Sequence, residues 1–574
     1  MTGRAIPATR AWAGIVFFGG RRLWYTVVMH QSARPASFWV REWSWLSYVL
    51  VYLLAFTLLL VFQASPYFAD PDSFYHAKMA LLIRDQGVIR HFPWLDLTVL
   101  GRQYTDQHLL YHVALIPFVT WFPPLIGLKL ATVVFGAALA TVFYWAGRRL
   151  GVRWPFLFVL ILLAVRPLTF RMSLAKAPST SLIFLIVGLV WMFEYKLKRL
   201  FVLAGAYVWY YGGFPLLGLS AAAVSGTSWL HNKLVTRHDS HRFVDKVMSL
   251  VGRASRHPRR RWPNLALMLT VISGLAAGVV FNPYFPGNFF FYWHQLINIG
   301  VINFQKVIGV GNEWYPYRVG DLLANGALAS LLVLIAIVGI ILRGRAQSKR
   351  SWALAVLTLF AFVLTLKSRR YVEYYIPLAV LFAAVSITDT LRGLSWPRIV
   401  GQFRDWFFCR RAGRVTGVLI AVYLALGIGY VAGRDFRNEL GDLHQGFRAD
   451  KFQPVSAWLA TNTPVGSRIV HSDWDEFPVL FYYNTHNTYI VGLDPTFLYK
   501  ANPNTYWTWA NITLGKFQGD LVTAVRDTLK SQYVFVAAGH DVMDRQFRNN
   551  PSFRRVYQDD EATVYQLINR IASR

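Results

Sequence analysis

Two carboxylates, Asp70 and Asp72, follow the first long apolar segment, in the run Phe-Ala-Asp-Pro-Asp-Ser-Phe-Tyr-His that ends at His76. Unpaired charge is unfavourable at the edge of a bilayer, so acids placed there usually have a partner or a function. One interpretation is that Asp70 caps the following helix, because its oxygen accepts from the free N–H groups at a helix start. Two acids with a histidine nearby exceed what a cap needs. Carboxylates also bind divalent cations or take a proton from a reacting group, so this run is a candidate site.

Basic residues recur in two other turns, at Arg171 and Lys176 and again at Arg370. If the apolar segments on either side cross a membrane, both turns face outward, where basic residues are normally scarce. Phosphate binding is a natural reason, because a guanidinium grips phosphate oxygens in a fork. The alternatives are snorkelling of long side chains at helix ends and, for Arg370, an ion pair with Glu373.

Two further segments combine acids with aromatic side chains. Glu313 lies in the run Gly-Asn-Glu-Trp-Tyr-Pro-Tyr of the 282–324 loop. An acid ringed by aromatics suits contacts with a sugar or a peptide, and the alternative is an ion pair with Arg318. A second run comes directly after a predicted strand: Asp473, Trp474, Asp475 and Glu476. Loops after strands commonly carry binding residues, although a solvated acidic turn has the same composition.

The composition is that of a polytopic membrane protein. Of the 574 residues, 55% are hydrophobic and only 15% are charged, and many apolar runs approach the roughly 20 residues that span a bilayer. The net charge of +30 does not indicate a nucleic-acid partner, because the basic residues cluster in short loops between apolar runs. The single cysteine, Cys409, has no internal partner for a disulfide. The first apolar run follows a basic leader without a cleavage pattern, so we expect a retained anchor in the plasma membrane.

The charges of the loops set the expected topology. The basic leader, residues 1–45, faces the cytoplasm, and the first span follows at 46–64. An outer loop, 65–127, then includes an apolar stretch at 109–126 that is broken by prolines and is expected to be interfacial or re-entrant. The other spans are expected at 128–146, 155–168, 180–195, two within 200–230, 264–281, 325–343, 352–367, 371–387 and 415–432. About 11–13 transmembrane helices result, and the basic loops, including 231–263, all fall inside.

The chain becomes less apolar after the last span, so residues 46–432 form the expected membrane domain and 433–574 a separate domain. Short β-like runs are predicted at 468–470, 488–491, 533–537 and 563–565, with helix-like stretches at 454–462 and 519–530. This alternation predicts an α/β domain, and the odd number of spans places it on the extracytoplasmic side. The fold class is therefore a polytopic α-helical membrane protein with a C-terminal extracytoplasmic α/β domain.

The order of these motifs resembles the catalytic subunit of oligosaccharyltransferase, within the GT-C class of membrane glycosyltransferases, over most of the chain. In that family an Asp-Pro pair follows the first span, as Asp70-Pro71 does here. A family motif ending in Glu lies in the long outer loop, where Glu313 lies. A family Arg at the outer start of a late span contacts the donor diphosphate, and Arg370 fits that position. The family's Trp-Trp-Asp-Tyr-Gly signature follows a strand of the soluble domain, and the run around Trp474 looks like a divergent form.

One departure from the family concerns the metal. The resemblance implies Mn²⁺ or Mg²⁺ as the cofactor, with Asp70 as its ligand. The family's second outer loop carries an acidic pair that helps to hold this ion, but the matching turn here contains Arg171 and Lys176 and no acid. The alternative hypothesis is that Lys176 supplies the positive charge that the metal supplies in the family, so that the mechanism is metal-independent.

The resemblance implies an inverting glycosyltransferase. It would move a sugar or oligosaccharide from a polyprenyl-(pyro)phosphate carrier to a protein, lipid or glycan acceptor at the extracytoplasmic face. The implied catalytic residues are Asp70, Asp72 and Glu313. The implied donor-phosphate ligands are Arg370, Lys176, Arg171 and His76, and the implied acceptor-binding residues are Trp474, Asp475 and Glu476. Two other classes stay open: a transporter or flippase of lipid-linked glycans, and a catalytically inactive scaffold.

Overall fold

The structure is a computed structural model that describes residues 13–18, 21–26, 44–239, 263–392 and 411–568. Three basic segments predicted to face the cytoplasm lie largely outside the described residues: the leader 1–45, the loop 231–263 and the loop around Cys409. Their predicted orientation therefore stays a prediction.

The N-terminal residues Met1–Val49 form a unit of their own. Within it, β1 (Ala13–Phe18) and β2 (Arg21–Thr26) pair as an antiparallel hairpin. The sequence analysis assigned only a basic leader to this region. Each strand contains a short apolar or aromatic run, and two such runs in succession are typical of a hairpin. The basic residues of the segment hid this pattern.

Helices make up most of the remaining chain. In order they are α1 Ser44–Gln63, α2 Asp72–Gln86, α3 Val99–Arg102, α4 Leu109–Trp121, α5 Pro124–Leu150, α6 Pro155–Leu163, α7 Arg166–Ser173, α8 Pro178–Phe193, α9 Leu197–Tyr210, α10 Pro215–Asp239, α11 Pro263–Val280, α12 Gly287–Trp293, α13 Val319–Asn325, α14 Ala327–Arg343, α15 Lys349–Lys367, α16 Val372–Leu391, α17 Arg411–Leu443, α18 Gln453–Asn462, α19 Phe477–Tyr483, α20 Thr496–Ala501, α21 Pro503–Thr513, α22 Leu521–Thr523 and α23 Asp541–Arg548. Shorter 3₁₀ or π turns lie at Pro93–Leu95, His294–Ile302, Asn312–Trp314, Gly344–Ala346, Arg369–Tyr371, Trp474–Glu476 and Ala524–Thr528.

Some of these helices have the length and composition of membrane spans, and within the described residues they are fewer than the 11–13 predicted. Within the described residues, five helices are long and apolar enough to cross a membrane, or up to seven if each of two bent pairs is one span. The bent pairs are α6 with α7, at 73°, and α13 with α14, at 98°. Large apolar side chains along α1, α14, α15 and α17 are exposed. An exposed apolar surface of this extent marks contact with a membrane or another protein.

Two predicted spans have different bounds in the structure. Segment 155–168 is not one straight span, because a second helix begins at Arg166 with Pro167 in its first turn, where proline is well tolerated. The last predicted span, 415–432, lies within α17, which does not end at residue 432 but continues to Leu443. Its polar end is stabilised by α7, where the Thr169 hydroxyl donates to the buried Glu439 carboxylate at 2.5 Å.

The C-terminal region contains a mixed sheet of five strands in the order β6-β5-β7-β9-β8. The strands are β5 (Arg468–Val470), β6 (Thr488–Tyr489), β7 (Tyr533–Ala537), β8 (Phe553–Gln558) and β9 (Ala562–Leu567). β5 is parallel to β6 and β7, whereas β9 is antiparallel to β7 and β8. An apolar core that includes Val470, Val534 and Trp509 packs helices α20 to α23 against this sheet.

The α/β prediction for this region is confirmed in part by the sheet. The sequence analysis missed β8, because its two adjacent arginines obscure the strand pattern. The prediction of one helix-like stretch over 519–530 is wrong in part. The structure has the short α22 and then a π turn there, ending before Lys530 at positive φ.

A two-stranded pair joins the first apolar helix to the C-terminal region. β3 (Tyr67–Phe68) pairs antiparallel with β4 (Phe447–Arg448), and the Ala449 N–H donates to the Pro66 carbonyl at 2.9 Å. Gly446 precedes β4 at φ +113°, and a Cβ there would lie 2.5 Å from the Phe68 carbonyl oxygen. Only glycine allows this approach. The pair fixes the segment that leads into Asp70.

Candidate active site

A cavity of about 490 Å³ lies between the apolar helices and the C-terminal sheet. It brings together segments that are far apart in the sequence. All the predicted site residues except Glu476 line it: Asp70, Asp72, His76, Arg171, Lys176, Glu313, Arg370, Trp474 and Asp475.

Lys176 bridges the two carboxylates at the start of α2. Its Nζ lies 2.6 Å from Asp70 Oδ2 and 2.8 Å from Asp72 Oδ2. Burial alone would lower the pKa of Lys176, but Asp70 and Asp72 outweigh it and raise that pKa above its usual value. The capping interpretation is also partly right, since Asp70 Oδ1 accepts from the Asp72 backbone N–H at 2.9 Å. One aspartate thus orders the helix start and binds the lysine.

The metal implied by the family resemblance does not fit this arrangement. A divalent cation at Asp70 and Asp72 would need the position between the carboxylates, and the Lys176 ammonium takes it. The turn from Leu174 to Ala177 that carries Lys176 brings no further carboxylate to the pair. Carboxylate oxygens are ligands that Mg²⁺ and Mn²⁺ prefer, but both carboxylates here already bind the Lys176 ammonium, which would have to move to admit an ion.

The acid pair is positioned by a lysine that the sequence analysis did not single out. Lys129, on α5, donates to the backbone carbonyls of Ser65 at 2.5 Å and Tyr67 at 2.7 Å, and it lies over the Phe68 ring. These bonds satisfy carbonyl groups beyond the end of α1 that the helix itself leaves unpaired. Together with the β3–β4 pair, they hold the chain that delivers Asp70.

A second charged network surrounds Glu313. Its two carboxylate oxygens accept from Arg370 Nη1 at 2.5 Å and from Arg171 Nη1 at 2.8 Å. Arg171 also binds the buried Glu373, at 2.6 Å from Nη2. Arg370 Nη2 donates to the Tyr211 hydroxyl at 2.9 Å. Burial opposes ionisation of Glu313, but Arg370 and Arg171 outweigh it and hold its pKa below the usual range.

The two local ion pairs considered from the sequence are therefore wrong. Glu313 binds Arg171 and Arg370 rather than Arg318, and Glu373 binds Arg171 rather than Arg370. The cause is tertiary packing, which brings α7, the Asn312–Trp314 turn and the start of α16 to one point.

Bonds to backbone carbonyls fix the segment around Glu313 against the Arg369–Tyr371 turn. The Ser368 hydroxyl donates to the Glu313 carbonyl at 2.8 Å, and the Arg369 N–H donates to the Tyr315 carbonyl at 2.9 Å. The Arg370 guanidinium lies 5.0 Å from the centre of the Trp314 ring, within cation–π range. The carboxylate of Glu313 is thus held at a defined place on the cavity wall.

The C-terminal region contributes Trp474 and Asp475 to the cavity, whereas Glu476 points elsewhere. Glu476 accepts from the Asp473 backbone N–H at 3.0 Å and from the Ser472 hydroxyl at 2.5 Å, in a capping box with Asp473. Burial, reinforced by Asp473 and Asp70, raises the pKa of Asp475 to about 8. Asp475 is therefore mostly protonated at neutral pH and can donate a hydrogen bond.

Histidines form a further group on the cavity wall. His76 Nδ1 lies 2.8 Å from His112 Nε2, and His112 Nδ1 lies 2.7 Å from Asp106 Oδ2. His108 lies beside them and also lines the cavity. The sequence analysis predicted only His76. The spacing of His108 and His112, four residues apart at a helix start, was the signal available for the others.

Asp494 is another cavity residue that the sequence analysis missed. It follows β6 closely, at the kind of position where binding residues are common. Burial raises its pKa to about 6, while its bonds to Thr496 oppose that shift.

Comparisons with known proteins give matches at the level of structure. No protein-family model and no curated protein sequence matches the chain. The fold is similar to that of oligosaccharyltransferase AglB from Archaeoglobus fulgidus in complex with an inhibitory peptide and a dolichol-phosphate. That match has a TM-score of 0.58 and 12% identity, and covers 87% of this chain and 70% of the other. The apo form of the A. fulgidus enzyme matches at a TM-score of 0.56, 13% identity and the same coverage.

A mycobacterial protein has a similar fold. Arabinofuranosyltransferase AftD from Mycobacteria matches with a TM-score of 0.52 and 12% identity, over 92% of this chain and 40% of the longer one. The chain therefore has the fold of the GT-C membrane glycosyltransferases. The fold is thus similar to that of oligosaccharyltransferase AglB, and the resemblance predicted from the motifs is confirmed for the fold.

Proposed function

We propose that this protein is a membrane glycosyltransferase. It transfers a sugar or oligosaccharide from a polyprenyl-(pyro)phosphate carrier to an acceptor at the extracytoplasmic face of the membrane. The observation that carries the proposal is the meeting of the Asp70–Lys176 pair with the Arg171–Glu313–Arg370 network in one cavity. The GT-C fold supports it, and dolichol-phosphate, a lipid phosphate, is bound to the archaeal protein of similar fold.

The cations of the cavity are suited to the donor. A guanidinium has five N–H donors, so Arg370 can bind Glu313 and Tyr211 and also offer N–H groups to a phosphate. Arg171 and Lys176 add positive charge beside it. Such groups stabilise the negative charge that develops on the departing phosphate. The apolar helices next to the site are suited to the carrier lipid.

The carboxylates are suited to the acceptor. In the proposed step, an acceptor oxygen or nitrogen attacks the anomeric carbon from the face opposite the phosphate. The bond between that carbon and the phosphate oxygen breaks, and its electron pair stays on the phosphate. Asp70, supported by Asp72, takes the acceptor's proton. Burial raises the pKa of Asp72, although Lys176 opposes the shift, and a higher pKa makes a carboxylate a better proton acceptor.

Lys176 takes the role that a divalent metal has in the family. Its ammonium lies on both carboxylates, so it holds their charges together without a metal. Glu313, Trp474 and Asp475 also line the cavity and would orient the acceptor. Trp474 also packs close to Gly311, which links the C-terminal region to the outer loop.

An assay with the purified protein and a radiolabelled polyprenyl-phosphate sugar tests the function. The label should move to an acceptor in added membrane lipid, glycan or peptide fractions, and transfer should continue in excess chelator. Movement of the labelled lipid across vesicles without transfer would identify a transporter instead. If the protein neither transfers the label nor moves the lipid, it is a scaffold. Loss of transfer in chelator with rescue by Mn²⁺ or Mg²⁺ would contradict the role given to Lys176.

A further inference from the structure

A cluster of histidines lies at the junction of α2 and α4. Within the described residues, His76, His108 and His112 each offer a ring nitrogen, and these atoms lie within 4.8 Å of one another. His76 and His112 are buried, while His108 is partly open to the cavity. The two buried rings form a hydrogen bond, His76 Nδ1 to His112 Nε2 at 2.8 Å, which a bound metal ion would replace.

The spacing of these residues is that of metal ligands on helices. His108 directly precedes α4, His112 lies in its first turn, and His76 approaches from α2. The ring centres are 5.0 Å apart for His76 and His112 and 5.1 Å apart for His76 and His108. Nitrogen ligands around a tetrahedral Zn²⁺ lie about 3.3 Å from each other, given Zn–N bonds of about 2.05 Å. The ring nitrogens of the three residues lie within 4.8 Å of one another, so the side chains must rotate to bring them to that spacing.

Asp106 supplies the carboxylate that would orient the histidine ligands of such a site. Its Oδ2 accepts from His112 Nδ1 at 2.7 Å, and its Oδ1 accepts from the His108 backbone N–H at 2.9 Å. A carboxylate on Nδ1 fixes the ring tautomer and turns Nε2 of His112 toward the cluster. Histidines that bind metals commonly have this carboxylate partner.

We propose that His76, His108 and His112 form a binding site for one transition-metal ion of the Zn²⁺ class. Imidazole nitrogens favour zinc over the hard cations that prefer oxygen ligands. The site has three protein ligands, and two of them, His76 and His108, line the cavity. A fourth coordination position therefore opens toward the cavity, as in zinc sites that bind water or a ligand. None of its ligands belongs to the Asp70–Lys176 pair, and neither His108 nor His112 has a role in the proposed transfer, so the site goes beyond the proposed function.

The test measures metal content and not transfer, so its result is independent of the proposed function. The full-length protein in detergent is stripped with chelator, reloaded with ZnCl₂, separated from free metal and measured by mass spectrometry. We expect about one zinc per chain. His108→Ala and His112→Ala should each lose the zinc, and Asp106→Asn should weaken it about 10- to 100-fold. His91→Ala is the matched control, because His91 is exposed in the same region, and it should keep the metal.

Folding of each variant is checked by its elution in size-exclusion chromatography. Co²⁺ loading gives a second readout, because its visible absorption reports tetrahedral nitrogen ligands. A wild-type protein that binds no zinc would overturn the proposal, whatever the variants do. Equal zinc content in the wild type and in the triple variant His76→Ala/His108→Ala/His112→Ala would overturn it as well.

Discussion

At Lys176 one ammonium binds two carboxylates that would otherwise repel each other in a partly buried site. The position of Nζ, 2.6 Å from Asp70 and 2.8 Å from Asp72, gives this single residue two roles. It holds the two carboxylates close together, and it supplies positive charge to the cavity where the donor phosphate is proposed to bind. Removing it should therefore change the electrostatics of the reaction more than the fold.

Lys176→Ala should lower transfer about 10²-fold, because an electrostatic stabiliser of the reaction is lost. The freed carboxylates should then bind a hard cation, so Mn²⁺ should restore part of the activity in the variant but change little in the wild type. The measurement is the initial rate with labelled donor over a Mn²⁺ titration. Lys78→Ala is the control, since Lys78 does not line the cavity. Unchanged transfer in Lys176→Ala without metal would contradict the proposed role.

Asp475 gives the protein a distinct pH dependence. Its pKa is raised to about 8, first by burial, so the folded protein holds a proton that the unfolded chain releases near pH 4. The folded state then loses stability as the pH rises from about 4 to 8. Asp475→Asn should remove this loss, giving a smaller fall in the unfolding temperature across that range.

Thermal unfolding in detergent at several pH values measures this effect. Asp541→Asn, which changes an exposed aspartate in the same region, should behave as the wild type does. If Asp475→Asn and the wild type fall in parallel over pH 4 to 8, Asp475 does not carry the dependence.

At the scale of elements, the β3–β4 pair and Lys129 position the acid pair. Neither feature was predictable from the sequence. β3 and β4 are each two residues long and lie far apart in the chain, so they have no periodicity to detect. Lys129 lies inside an apolar helix, where a single lysine shows no partner in the sequence, and the fold brings the carbonyls of Ser65 and Tyr67 to it.

Gly446→Ala should separate β3 from β4. The new Cβ would lie 2.5 Å from the Phe68 carbonyl, at a φ of +113° that alanine disfavours. We expect a loss of about 1–3 kcal/mol in stability and reduced transfer, because Asp70 is displaced. Gly441→Ala is the matched control, since Gly441 is helical and a Cβ there meets nothing within 4 Å. A wild-type unfolding temperature for Gly446→Ala would show that the pair does not constrain this segment.

The apolar helices, by contrast, were largely predictable. Long apolar runs form helices because a membrane span must satisfy its backbone hydrogen bonds internally. Their ends were harder to predict, since α17 continues past residue 432 through polar residues that pair with α7. The break between α6 and α7 was also missed, although Pro167 marks the start of the second helix.

At the scale of the whole molecule, the site forms from distant parts of the chain. The motifs around Asp70, Lys176, Glu313 and Arg370 were predicted separately, and the resemblance indicated that they meet. Their partners were not predictable, because Arg171 and Glu313 are 142 positions apart and only the packed helices bring them together. The local pairs drawn from sequence proximity were wrong for the same reason.

A transfer assay on Asp70→Asn tests whether Asp70 is the catalytic carboxylate. Asparagine keeps the size of the side chain and its bond to the Asp72 N–H, but it cannot take the acceptor's proton. The account predicts a purified, folded variant in which transfer from a labelled polyprenyl-phosphate sugar falls by about 10²- to 10⁴-fold. Near-normal transfer in that variant would contradict the assignment of Asp70 as the catalytic carboxylate.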